Sequence, residues 1–225
     1  MISEIFERQV SLLGISCQER LLSSTVLIVG VGGLGCVVAE NLVRLGVKRL
    51  YLVDKDRVSP SNLNRQFLFT PEDIGKSKVK VAAEKLKKLR KEVEIIPKEE
   101  VIDETFEIPP GVDLVVDCLD DFESRFCLES AALKQGLPVI HGGIDGFFGQ
   151  VGTFLAGDSP KFSDVFKGIK SHPEPVQAIA PTCSVVGAIQ ALEAVKLICG
   201  VKSNLLGKLL IVDLLTLDFS VVEVR

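Results

Sequence analysis

The chain lacks a C-x-x-C pair. Its six cysteines, Cys17, Cys36, Cys118, Cys127, Cys183 and Cys199, are scattered, which leaves a structural zinc site without local support. Most lie in apolar surroundings and are expected to be buried thiols. An excess of basic residues is also lacking. Twenty-six Lys and Arg stand against 30 Asp and Glu, a net charge of −4 with a pI near 5.4, and this argues against a general nucleic-acid surface. The first ten residues carry Glu4, Glu7 and Arg8 but no apolar run, so no secretory signal is expected. Apolar stretches of strand length fall short of the roughly 20 residues that cross a bilayer, so no membrane span is expected and the chain is read as cytoplasmic. The absence of tryptophan and the single methionine, beside many Lys and Glu, are in keeping with a heat-adapted source. No internal repeat or low-complexity tract is present.

What is present is a large apolar fraction, 47% of 225 residues. That suffices for one sizeable core and is too little for two ordinary domains with a linker. Residues 3–22 read as an amphipathic helical leader. Residues 25–29, T-V-L-I-V, form a β-branched run that stops at glycine, as a buried parallel strand does. A helix then runs to residue 45, a strand covers 49–54, and a charged helix covers 76–91 with Val79, Ala82, Ala83, Leu86 and Leu89 inward. Strands at 93–98 and 113–117, a helix to about 135 and a strand at 138–141 continue the alternation. The pattern predicts an α/β fold, a Rossmann-like, doubly wound, mostly parallel sheet. It then changes. A strand at 149–155, a polar crossover loop at 157–179 expected to be mobile, a long apolar helix at 181–200 and strands at 208–212 and 219–224 predict an antiparallel C-terminal extension. The division within one domain is 1–22, 23–148 and 149–225.

The loop Gly30-Val31-Gly32-Gly33-Leu34-Gly35 follows a strand and opens a helix. Glycines there let backbone N–H groups approach a phosphate at a helix N-terminus. Asp54 ends the second strand about 20 residues on, where a carboxylate takes ribose hydroxyls. The run Ser61-Asn62-Leu63-Asn64-Arg65-Gln66 is unusual after such a loop. With Asp56, its amides donate and accept, and Arg65 offers a planar fork to phosphate. Read alone, the same run is a turn with a surface arginine. Lys78 opens the charged helix within reach of phosphates, whereas Lys76, Lys80 and Lys85 read as a solvated face. Asp120 closes the fourth strand as a hard oxygen ligand for Mg²⁺. Asp121 is either a second site carboxylate or a helix cap, and Arg125 is placed to pair with one of the two. His141 is expected to be a satisfied structural histidine and His172 to be solvated.

Together these elements resemble the ThiF/MoeB/HesA family, bacterial relatives of ubiquitin-activating enzymes. The likeness extends through Arg8-Gln9, Gly75 to Lys78, Gly142-Gly143, Gly149-Gln150, residues 190–196 and the closing strand at 207–213. The family adenylates the C-terminal carboxylate of a small ubiquitin-like protein, usually ending in Gly-Gly, and releases pyrophosphate. The resemblance implies that Gly30, Gly32, Gly33, Asp54, Asp56, Ser61, Asn62, Asn64, Arg65, Lys78, Asp120 and Asp121 bind ATP and Mg²⁺. It implies that Arg65, Lys78 and Asp120 carry catalysis, with Arg8 reaching the phosphates of the neighbouring subunit of a homodimer. The partner implied is a ThiS- or MoaD-like sulfur carrier whose body rests on the antiparallel region, where Phe147, Phe148 and Phe154 contribute apolar contact if exposed.

The chain departs from the family in two places. Residues 157–180 have no cysteine, so neither the family's zinc pairs nor its usual crossover-loop thiol is present there. Cys183, at a predicted helix start, is either a nucleophile with a lowered pKa or a small buried residue. Three other readings remain: ATP activation of a carboxylate on a modified tRNA nucleoside, a nicotinamide oxidoreductase resting on the glycine loop and Asp54 alone, and a non-catalytic ATP-binding partner subunit.

Overall fold

The computed structural model describes residues 3–171, 174 and 176–224; His172 lies outside the described residues. Eight strands form one sheet in the order β3-β2-β1-β4-β5-β6-β7-β8. The parallel part comprises β1 (Thr25–Val29), β2 (Arg49–Val53), β3 (Glu94–Lys98), β4 (Leu114–Asp117) and β5 (Val139–Asp145). To it are added antiparallel β6 (Phe148–Phe154), β7 (Lys208–Asp213) and β8 (Asp218–Glu223). The expected α/β sheet and its antiparallel extension are therefore both present. The strand order reverses between β1 and β4, which opens a crevice at the carboxyl ends of these strands.

Helices cover both faces. β1 is buried throughout, and its alternating side chains serve two cores. Val26 and Ile28 join the core shared with α3 (Gly33–Leu45), α4 (Lys78–Leu89) and α7 (Ala180–Cys199), while Leu27 and Val29 join the core under α5 (Phe122–Gln135). This two-sided burial explains why β1 reads as an unbroken apolar run rather than as an alternation. α4 buries Val79, Ala82 and Leu86 as expected, but Leu89 at its end is 41% exposed.

Four further expectations are corrected. The leader is two short helices, α1 (Glu7–Leu13) and α2 (Ile15–Leu21), because Gly14 breaks it in a backbone region closed to most residues (φ 83°). Gln9 and Gln18 dock the leader on the Leu45 carbonyl at the end of α3. Cys17 and Cys199 are not separate thiols: a disulfide joins them, Cα to Cα 4.9 Å. The apolar stretches are not all of strand length, since α7 has 20 residues and a mean hydropathy of 1.5, enough to cross a membrane by length and composition. Half of that stretch is buried inside the fold and it includes buried Gln190 and Glu193, so it is the core helix between α3 and the sheet. Lastly, the crossover segment carries α6 (Phe162–Val165), and Phe162 and Phe166 are buried against Phe122, Phe126, Phe154 and His141. Two phenylalanines four residues apart were the available signal for that anchor.

Candidate active site

The crevice holds a cavity of about 690 Å³, bounded by the ends of β1, β2 and β4, the start of α3, the β5–β6 hairpin and the crossover segment. Its wall includes Gly30, Gly32, Gly33, Asp54, Asp56, Arg65, Lys78, Asp120, Asp121 and Cys183. Gly30 has φ 89°, and a Cβ there would lie 2.5 Å from the Cys118 carbonyl oxygen. A Cβ on Gly35 would collide with the Gly30 carbonyl. The loop is therefore confined to glycine by its own turn and by the approach of α3. Asp54 braces it: Val31 N–H donates to Oδ2 (2.7 Å) and Asp56 N–H donates to Oδ1 (2.8 Å).

Lys78 and Arg65 are among the cations on the wall. Lys78 opens α4 and is buried, its Nζ 2.9 Å from Asp56 Oδ2 and 4.0 Å from Asp54 Oδ2. Arg65 is oriented by its neighbours, donating from Nη1 to the Ser61 carbonyl and to Asn64 Oδ1, each at 2.9 Å. Asn62 is buried and accepts from Ser59 N–H at 2.9 Å within a 3-10 turn, Pro60–Asn62. Ser61, Asn62 and Asn64 do not line the cavity. The structure uses these three as a frame that holds Arg65. Arg8 is likewise absent from the wall of its own chain and is exposed on α1.

Asp120 is exposed on the wall and takes no partner among the described residues. Asp121 caps α5, accepting from Ser124 N–H at 2.7 Å, so its capping role holds while it also lines the cavity. Arg125 pairs with neither of these. Its Nε lies 3.3 Å from Asp117 Oδ2, and Nη2 donates to the carbonyls of Leu119 and Gly142. The buried Asp117 at the end of β4 is a stronger partner than a carboxylate on the solvent side of the turn. His141 is fully buried and bonded on both ring nitrogens.

Burial pushes the Cys183 thiol up, although the Arg65 charge pulls the other way. A low-pKa nucleophile at the helix start is not what the structure provides; Cys183 is a buried residue packed under Gly33. Burial likewise pushes Cys36 up to about 12 and raises Cys118. The wall also includes Glu100, Asp145, Lys170, Glu174 and Gln177, which the motifs did not single out. Asp145 ends β5 beside a turn, and Lys170, Glu174 and Gln177 belong to the crossover, so only the folded topology brings them here. Chemically, the cavity offers backbone donors at a helix N-terminus, cations suited to phosphate, Arg65 and Lys78 among them, and the unpaired carboxylate of Asp120.

The chain belongs to the ThiF family: the family model matches residues 6–225. It is 37% identical to the sulfur carrier protein adenylyltransferase of Thermus thermophilus, over 98% of this chain and 86% of that protein. It is 36% identical to the molybdopterin-synthase adenylyltransferase of Haemophilus influenzae, over 92% of this chain and 89% of the relative. Among solved structures, PaaA superposes with a TM-score of 0.84 at 27% identity, over 98% and 73% of the two chains. E. coli MccB superposes with a TM-score of 0.89 at 21% identity, over 99% and 71%, a likeness of fold.

Proposed function

We propose that the chain is an adenylyltransferase that uses ATP and Mg²⁺ to activate the C-terminal glycine carboxylate of a small ubiquitin-like sulfur-carrier protein. The observation that carries this reading is the single cavity in which the glycine loop, Arg65, Lys78 and the unpaired Asp120 meet. The two relatives above are named as adenylyltransferases, one of them of a sulfur carrier protein.

The carboxylate oxygen attacks the α-phosphorus, the bond to the bridging oxygen of the β-phosphate breaks, and pyrophosphate leaves the acyl-adenylate behind. The nucleophile is already ionised near neutral pH, so no general base is required. The protein positions the phosphates and neutralises developing charge. The N-terminus of α3 and Arg65 take phosphate oxygens, and Lys78 exchanges Asp56 for the departing pyrophosphate. Mg²⁺ supplies additional charge neutralisation when bound, and Asp120 is the residue that would hold it. A single protein carboxylate fits this ion, because phosphate oxygens and water complete its shell. No cluster of three metal-ligating side chains exists among the described residues. Arg8, exposed on the leader, is assigned to the cavity of a second subunit in a homodimer.

Pyrophosphate exchange into ATP, with Mg²⁺ and a panel of Gly-Gly-ending carriers, tests the reading, with Lys78→Ala as control. Exchange that requires a carrier and falls at least about a hundredfold in the variant, the scale of one lost electrostatic contact in the transition state, is the expected result. Tight ATP binding without exchange in any mixture would refute it and favour a tRNA carboxylate or a partner-subunit role.

A further inference from the structure

Behind the cavity wall lies a row of three side chains that the adenylation steps leave unused. Asp117 ends β4, His141 lies on β5 and Gln150 lies on β6, where it lines the cavity. His141 Nδ1 is 2.8 Å from Asp117 Oδ2, and His141 Nε2 is 3.0 Å from Gln150 Nε2. A carboxylate paired with Arg125 accepts only, so Nδ1 carries the ring hydrogen. Desolvation and the nearby Arg125 charge hold His141 below its ordinary pKa, against the pull of Asp117. The groups packed around the ring are Asp117, Arg125, Gln150, Phe162 and Phe166. The ring is neutral and Nε2 presents a lone pair.

That lone pair fixes the amide of Gln150 one way round. The NH₂ donates to His141, and Oε1 is left without a donor among the described residues, on a residue that faces the cavity. Gly143, opposite Gln150 in the β5–β6 register, makes room for this arrangement. A Cβ on Gly143 would stand 3.2 Å from Gln150 Nε2 and 3.3 Å from its Cγ.

We propose that Gln150 determines specificity for the carboxylate substrate: its Oε1 accepts the N–H of the C-terminal peptide bond of an extended glycine tail, and His141 is the positioning residue that orients it. The inference rests on the adenylation reading. Place in the sheet selects the tail over the nucleotide. β6 lies three strand spacings from β1, roughly 14 Å at about 4.8 Å each. It lies on the side away from β2, whose end carries Asp54. The ribose belongs over Asp54 and the phosphates over the glycine loop, so a donor arriving at Gln150 comes from beyond the phosphates. Gly143 and Gly149 line this part of the wall beside Gln150.

The test is a cycle of two changes read by pyrophosphate exchange. One is Gln150→Leu. The other is a semisynthetic carrier whose last peptide bond is an ester, with oxygen in place of N–H. In the unaltered protein the ester raises the carrier KM about tenfold or more, the usual effect of leaving one buried polar partner unmatched. Gln150→Leu raises the KM for the natural carrier by a similar factor, leaves the KM for ATP unchanged, and abolishes the extra penalty of the ester. Gln150→Met serves if the leucine variant unfolds. An equal ester penalty in protein and variant, or an unchanged carrier KM in the variant, overturns the assignment while leaving adenylation standing. Absence of carrier-dependent exchange in the unaltered protein refutes the adenylation reading, and this inference falls with it.

Discussion

Gly33 and Cys183 form a contact whose energetics separate a packing role for the thiol from a chemical one. Gly33 opens α3 with no left-handed backbone requirement, so Gly33→Ala meets an obstacle in space and not in conformation. The new Cβ would lie 2.6 Å from Cys183 Sγ, 3.4 Å from Cys183 Cβ and 3.6 Å from Arg65 Cγ. Only the sulfur is too close. Overpacking of this kind costs about 1–3 kcal/mol, because the crowded side chains must leave their rotamers. Cys183→Ala removes the sulfur and costs about 1 kcal/mol in lost contact. In the double variant the alanine methyl at 33 enters the space the sulfur vacated, at an ordinary contact distance from the remaining Cβ. The double variant should then be no less stable than Cys183→Ala alone, a favourable coupling of roughly 1–3 kcal/mol. Urea unfolding of the four proteins measures it through the midpoint at constant slope. Additive losses within about 0.5 kcal/mol would refute the packing argument. Adenylate formation by Cys183→Ala supplies the chemical half: it should persist, and a variant that binds ATP but makes no adenylate would restore the thiol as a participant.

The Cys17–Cys199 disulfide spans a sequence separation of 182 residues, for which the chain-entropy relation gives about 5 kcal/mol at 25 °C. Dithiothreitol should therefore lower the unfolding midpoint of the protein but not that of Cys17→Ala/Cys199→Ala, and a loss under 1 kcal/mol would contradict the relation. For His141 the folded pKa lies below the ordinary 6.5. The unfolded chain thus binds the proton more readily, so this contribution is fully present above pH 6.5 and is lost as pH falls from there. The slope is at most about 1.4 kcal/mol per pH unit for one proton, and His141→Gln should flatten it; a stability that rises as pH drops below 6.5 would reverse the sign argued. Asp120→Asn should raise the Mg²⁺ concentration needed for half-maximal exchange about tenfold while leaving the unfolding midpoint within about 0.5 kcal/mol, and an unchanged Mg²⁺ dependence would remove Asp120 from the metal.

The sheet and most of the cavity wall were legible because their signals are local. A β-branched run ending at glycine, a glycine loop and a carboxylate at the next strand end each state their role within a few residues, and the parallel topology then brings those strand ends together. What escaped reading depends on distance in the chain. Arg125 has Asp117, Asp120, Asp121, Glu123 and Glu129 within eight residues, and spacing along a helix favours Asp121 or Glu129, yet the pair forms with the buried Asp117, while Glu129 accepts from the Phe162 and Ser163 N–H groups. Cys17 and Cys199 meet only once the leader docks against the end of α7. The run from Ser61 to Gln66 marks the intermediate case: its residue types pointed to a polyphosphate site, and Arg65 and Gln66 reach the cavity. The others spend their hydrogen-bonding capacity on the turn and on Arg65 itself. A guanidinium on a long side chain has about 2 kcal/mol of rotamer freedom to lose on binding an anion, and two acceptors held in a rigid turn remove part of that freedom beforehand. The same logic recurs at Gln150, where His141 and Asp117 fix an amide from behind. In both places much of what the motif encodes is the frame that holds one side chain toward the cavity.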